Sequence, residues 1–303
     1  MAEKLDRSDE RVEELGKVLL DVGQPLAKRF RVIFLLKAIG TRAAIEQLGR
    51  ALAVDESALL RHEVAYAMGQ TGNVLSIPHL KRTLEQDDNS MVRHEAGESL
   101  GAIGTEECLG ILEQYLNDES VDVRETCEIA VAAVKWKLAH PEEKMRAFPS
   151  SQEFASIDPA PPSDAHDVER LRQELLDSDA PLFQRYRAMF SLRNMRTDPA
   201  VLALCDGLED TTSALFRHEI AYVLGQLQSP VSVAALKRVL AKSAENEMVR
   251  HEAAEALGAI ATQECTEYLR DFLHDEKRVV KESCDIALDV ADYYTSEQFQ
   301  YAS

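Results

Sequence analysis

Residues 89–104 read NSMVRHEAGESLGAIG, and the period of their apolar residues decides the fold. At about 100° per residue, Val92, Ala96, Leu100 and Ile103 gather on one helix face. His94 falls opposite that face and Glu95 on its shoulder. Upstream, Asp87-Asp88-Asn89-Ser90 supplies a turn and an N-cap, and residues 77–84 read as a preceding helix. Gly101 and Gly104 mark the fraying end of the second helix and the turn after it. The unit is a helical hairpin whose second helix, residues 91–103, carries Arg93-His94-Glu95.

The hairpin recurs along the chain. Aligning on its basic residue gives Arg29, Arg61, Arg93 and Arg124, then Arg185, Arg217, Arg250 and Lys281. The spacings are 32, 32 and 31 in the first half and 32, 33 and 31 in the second. A helical hairpin repeated at such a period is the signature of a solenoid. The pattern V-R-x-x-A-x-x-x-L-G, seen from Val92 to Gly101, resembles the HEAT repeat. An all-α HEAT-repeat solenoid of eight hairpins is therefore expected. PLAKRFRVIFLLKAIG from Pro25 aligns with PLFQRYRAMFSLRNMR from Pro181, and the offset of 156 to 157 persists to Cys284. Between the two halves, residues 140–168 hold Pro141, Pro149, Pro159, Pro161 and Pro162, half of the ten prolines. The expected organisation is a four-repeat arm (1–139), an irregular linker (140–168) and a second four-repeat arm (169–303). The arms should face each other with pseudo-two-fold symmetry.

Composition agrees with a folded, helical chain. Of 303 residues, 45% are hydrophobic and only 6% aromatic, and Ala, Leu, Glu, Val and Arg dominate outside the linker. No apolar run is long enough to span a membrane. The charged start MAEKLDRSDERVEEL lacks a signal-peptide core, which predicts a cytoplasmic protein. The net charge of −19 argues against nucleic acid as a partner and suits a basic protein partner or simple solubility. Five cysteines form no CxxC pair, and Cys108 and Cys127 recur as Cys265 and Cys284, so buried free thiols are expected.

Arg-His-Glu occurs four times, as Arg61-His62-Glu63, Arg93-His94-Glu95, Arg217-His218-Glu219 and Arg250-His251-Glu252, and takes up half of the eight histidines. Imidazole and carboxylate readily share a metal ion. The outer repeats provide an internal control, because their basic residue is followed by Phe30-Arg31, Glu125-Thr126, Tyr186-Arg187 and Glu282-Ser283. The basic residue thus belongs to the repeat template, and the His-Glu pair is an addition confined to the two central repeats of each arm. On the helix wheel both side chains avoid the inter-repeat face and should project into the concave hollow. Two such arms could hold a dinuclear centre. Two imidazoles and one carboxylate per ion suit oxygen-activating non-haem iron, and zinc in a hydrolase is the competing assignment. His79, His140, His166 and His274 stand outside the motif and are expected to be solvated or locally bonded.

Eight HEAT-like units, a proline-rich centre and the strings RHEVAYAMGQ, RHEAGESLGAIG, RHEIAYVLGQ and RHEAAEALGAIA together resemble the deoxyhypusine hydroxylase family. The resemblance runs from Pro25 to about residue 290 and implies a non-haem di-iron monooxygenase. It would use two Fe(2+) ions, O2 and an external reductant to hydroxylate the deoxyhypusine form of translation initiation factor 5A. By the same resemblance the metal ligands are His62, His94 and Glu95 in the first arm and His218, His251 and Glu252 in the second. Glu63 and Glu219 are then the catalytic, substrate-binding carboxylates, suited to the amines of the substrate side chain. Four residues after each histidine stand Tyr66, Tyr222, Glu98 and Glu255, the carboxylates being candidates to orient a ligating imidazole. Gly97 and Ala254 would leave room over the metal. A monomer free of membrane and nucleic acid is expected. The alternatives are a metal-free HEAT scaffold, a bilin lyase-type repeat protein and a di-zinc hydrolase.

Overall fold

The structure, a computed structural model, describes residues 6–140, 154 and 156–295. Sixteen α-helices and no strand occur among them. The first eight are α1 (Asp9–Leu20), α2 (Leu26–Ile39), α3 (Arg42–Val54), α4 (Ala58–Gln70), α5 (Ile77–Gln86), α6 (Ser90–Ile103), α7 (Glu106–Leu112) and α8 (Val121–Ala139). The second eight are α9 (Val168–Leu176), α10 (Leu182–Met195), α11 (Asp198–Gly207), α12 (Ala214–Leu227), α13 (Val233–Ala241), α14 (Glu247–Ile260), α15 (Gln263–Arg270) and α16 (Arg278–Thr295). They pair into eight hairpins, the all-α HEAT-type solenoid read from the sequence. The chain divides into two compact units at Pro159/Ala160. No described helix is long and apolar enough to cross a membrane.

Local chemistry sets the helix ends. Ser57, Asn89, Ser213 and Asn246 cap α4, α6, α12 and α14, each side chain accepting a backbone N–H of the first turn. At the other end Gly104 takes φ 69, the left-handed conformation that closes α6. Gly101 is a different case from the fraying end expected of it. It lies inside α6, where an added Cβ would come within 2.7 Å of Ala130 Cβ on α8. Its partner position in the second unit, Gly258, meets Ala287 of α16 in the same way, at 2.6 Å. These glycines let successive second helices approach closely.

The template arginines tie each hairpin to the next. Arg93 Nε donates to the Leu84 carbonyl at 2.8 Å, and its guanidinium clasps both carboxylate oxygens of Asp118 at 3.0 and 2.5 Å. Arg29 reaches Asp55, Arg61 reaches Asp87, Arg185 reaches Asp210, Arg217 reaches Glu245 and Arg250 reaches Asp275. The Asp118 carboxylate also accepts from Ser120 N at 3.0 Å, so one carboxylate both receives the arginine and shapes the turn before α8. The Arg93 hydrogen bond holds the Asp118 carboxyl below its ordinary pKa. Burial would raise the carboxyls of Asp210, Glu245 and Asp275, and bonds from Arg185, Arg217 and Arg250 with nearby backbone amides outweigh it and hold them low. These charge-assisted pairs explain the basic residue of the first three hairpins of each half, whereas Arg124 of the fourth donates instead to the backbone carbonyls of Asp118 and Glu119.

All five cysteines are buried and free. Burial pushes the Cys127 and Cys284 thiols up to about 12, which makes them packing groups rather than nucleophiles. Residues 156–167 have no regular secondary structure. Within the first unit, Gln70 Oε1 accepts from Ile157 N at 2.7 Å. Within the second, Arg187 donates to the carbonyls of Pro161 and Pro162 at 3.3 and 3.1 Å. Pro141 and Pro149 of the expected linker, and the outermost residues of both expected arms, lie outside the described residues.

Candidate metal centre

The four His-Glu pairs sit one turn into α4, α6, α12 and α14, the second helices of the central hairpins. All eight side chains are buried, His94 at 0% and Glu63 at 8% relative exposure marking the extremes. The wheel placed them off the apolar face, and the structure adds that neighbouring helices close over them.

Successive second helices run in register, so the glutamate of one repeat meets the histidine of the repeat before it. Glu95 Oε2 lies 3.3 Å from His62 Nε2, and Glu252 Oε2 lies 3.3 Å from His218 Nε2. The imidazoles of successive repeats lie side by side with tilted rings, His62 and His94 centroids 5.6 Å apart and His218 and His251 centroids 5.4 Å apart. Glu252 also lies 3.8 Å from His251 Nε2. Donor atoms of His218, His251 and Glu252 all fall within 4.8 Å of one another, as do those of His94, Glu95 and Glu98.

Bonds of about 2.1 Å around one ion place its donors roughly 3–4 Å apart. The 3.3 and 3.8 Å separations match that spacing. Two imidazoles and one carboxylate, all buried, form a donor set that fits a borderline divalent ion. The residues present therefore fit a metal.

The later histidine of each unit has a polar group facing its Nδ1. His94 Nδ1 faces Thr126 Oγ1 of α8 at 3.5 Å. His251 Nδ1 faces Glu255 Oε1 at 3.5 Å, as the spacing of four residues suggested. Ser99 Oγ donates to the Ala65 carbonyl of α4 at 2.8 Å and lies 3.3 Å from Glu95 Oε1, a longer contact that shares the same hydroxyl proton. Gly97 does not open space over the site as expected. A Cβ there would meet Thr126 Cγ2 at 3.3 Å and Leu84 Cδ1 at 3.8 Å, so its small size accommodates the neighbouring helices.

Glu63 and Glu219 occupy a separate situation. The residues at the histidine position of the preceding repeat are Phe30 and Tyr186, both buried. Lys37 of α2 is electrostatically coupled to Glu63, with Nζ 5.4 Å from the Tyr66 ring centroid. Burial lowers the Lys37 ammonium, and Glu63 pulls it back up. At the corresponding place in the second unit, Arg193 donates to Gln226 Oε1 at 2.9 Å, and Gln226 Nε2 donates to Tyr222 Oη at 3.0 Å. The sequence reading missed Lys37, Arg193 and Thr126, because each enters from a different hairpin. The remaining histidines stay apart: His79 faces Glu46 at 3.6 Å, His140 stacks on Trp136, and His166 and His274 are exposed.

Comparison with known proteins agrees with the helical-repeat fold. Family models of HEAT repeats match residues 12–101, 76–132 and 201–289, and a PBS lyase HEAT-like repeat matches 184–210. Deoxyhypusine hydroxylase of Mus musculus is 50% identical over 296 residues, covering 97% of this chain and 96% of its own length. The Drosophila melanogaster enzyme is 49% identical at the same coverage of both chains. The solved structure of human deoxyhypusine hydroxylase in complex with glycerol superposes with TM-score 0.89 at 48% identity, covering 94% of this chain and 97% of that one. With relatives this similar over nearly its whole length, the chain belongs to the deoxyhypusine hydroxylase family.

Proposed function

We propose that this chain is a deoxyhypusine monooxygenase, acting on the deoxyhypusine form of translation initiation factor 5A to give hypusine. The observation that carries the site assignment is the buried His218-His251-Glu252 group, whose histidine-to-glutamate contact between repeats recurs in the first unit as His62 to Glu95. His62, His94 and Glu95 would hold one Fe(2+) ion, and His218, His251 and Glu252 a second. When bound, the iron pair supplies reductive activation of O2 with electrons from an external reductant. Overall, one oxygen atom enters a C–H bond of the substrate side chain. The other leaves as water, with two electrons and two protons.

The protein's own groups bind, orient and exclude water. Ser99 lies beside the Glu95 carboxylate, and Glu255 and Thr126 face the outer nitrogens of His251 and His94. Glu63 and Glu219 bind the substrate ammonium groups, a role supported by their lacking a histidine in the preceding repeat. A buried ammonium requires a carboxylate beside it. The acidic chain, with its net charge of −19, suits a basic protein substrate. The enzyme works as a cytoplasmic monomer.

The test is direct. Iron-loaded protein, given O2, a reductant and the deoxyhypusine form of factor 5A, should add the mass of one oxygen atom to the substrate. Unmodified substrate from protein carrying two irons would overturn the reading. Purified protein with no metal would point to a scaffold, and two zinc ions to a hydrolase.

A further inference from the structure

The histidine-to-glutamate contacts follow a rule that extends beyond the glutamates. In each arm the residue two places after the basic one reaches back to the histidine of the preceding repeat, as Glu95 does to His62 and Glu252 to His218. In the last repeat of each arm that position holds a hydroxyl instead: Thr126 after Arg124 and Ser283 after Lys281. The first of these obeys the rule. Thr126 Oγ1 lies 3.5 Å from His94 Nδ1, with Thr126 at 2% and His94 at 0% relative exposure. Ser283 is also fully buried, on a helix packed against α14, and its Oγ has no hydrogen-bond partner among the described residues.

The packing around the two hydroxyls separates what is kept from what is exchanged. In the first arm the Thr126 γ-methyl fills the space beside Gly97, 3.3 Å from where a Cβ would stand. In the second arm the position of Gly97 is Ala254, buried, and the serine lacks the methyl. One methyl group has moved from one helix to its neighbour. The hydroxyl has stayed on the last helix in both arms.

We infer that Thr126 is a positioning residue for His94. The inference rests on the metal reading above. A neutral imidazole that offers Nε2 to a metal carries its proton on Nδ1, and that N–H needs an acceptor. In a buried site Thr126 Oγ1 provides it from outside the helix that bears the histidine. The hydroxyl thereby selects the tautomer and fixes the ring plane. Such outer partners typically govern metal affinity by about 10- to 100-fold.

Thr126→Val keeps the shape and removes the hydroxyl, and Thr126→Ser keeps the hydroxyl and removes the methyl. Each variant is loaded with two irons per chain and challenged with a chelator, and iron release is followed against time. Thr126→Val should release one iron about 10- to 100-fold faster than the unaltered protein, with the other iron unaffected. Thr126→Ser should stay within about threefold of the unaltered protein. Metal-free Thr126→Val should melt at the same temperature as the metal-free parent, which separates positioning from a structural role. Release at the parental rate by Thr126→Val, or equal acceleration by Thr126→Ser, would overturn the inference alone. An unaltered protein that takes up no metal would overturn the proposed function and this inference together.

Discussion

His218 Nε2 stands 3.3 Å from Glu252 Oε2, a contact between α12 and α14 of adjacent repeats. Glu252 is within 3.8 Å of His251 as well, so one carboxylate serves two imidazoles. Glu252→Ala should therefore reduce bound iron from two to one per chain, and His94→Ala should do the same through the first arm. Metal analysis of the purified variants checks this. Retention of both irons by either one removes that residue from the ligand set.

Glu63 and Glu219 should behave otherwise. Glu63→Gln and Glu219→Gln keep the size of the side chain and remove its charge, so both irons should remain. Losing a charged partner for an ammonium costs roughly 1.5–3 kcal/mol, about 10- to 100-fold in KM for the protein substrate. Steady-state kinetics on iron-loaded variants measures it. Iron loss in place of the KM effect would move these carboxylates into the metal site.

Arg93 and Asp118 form a clasp across a repeat boundary, with side chains only 18% and 11% exposed. Arg93→Met leaves the carboxylate without its cation, and breaking such a pair costs about 3 kcal/mol. Urea unfolding should show the loss as a lower midpoint at unchanged slope.

The same clasps set the acid limit of stability. Asp118, Asp210 and Asp275 titrate below their ordinary value in the folded chain. A group depressed in the folded state stabilises fully above its unfolded pKa, about 4, and loses that contribution as pH falls through the lower folded value. Stability of the metal-free protein should hold down to about pH 5 and fall steeply below about pH 4. Asp118→Asn should flatten that fall. An unchanged acid profile would show that the clasp contributes nothing to it.

The two arms also differ in backbone strain. Gly40, Gly72 and Gly104 close helices at φ 64, 61 and 69, whereas the corresponding Arg196, Gln228 and Ala261 adopt φ 54, 49 and 55. A side chain in the left-handed region costs about 1–2 kcal/mol, partly offset by the freedom glycine loses on folding. Ala261→Gly should stabilise the protein by about 0.5–1 kcal/mol, and Gly104→Ala should destabilise it by a similar amount or more. Denaturant midpoints of the two variants, read against the unaltered chain, decide it.

The sequence by itself determined the helical repeat, its eight registers and the separation of template arginine from added His-Glu. Each of these follows from the order of residues within one hairpin, since a helix repeats every 3.6 residues whatever surrounds it. The outer repeats, with Thr126 and Ser283 where the inner ones carry glutamate, made the separation visible without any structure. Tertiary structure alone decided the partners. Which carboxylate clasps Arg93, why Gly101 must be small and which hydroxyl meets His94 depend on how closely α6 and α8 approach. A helical wheel gives an angle around one axis. The identity of the atom at the end of that angle comes from the neighbouring helix, and only packing brings it there.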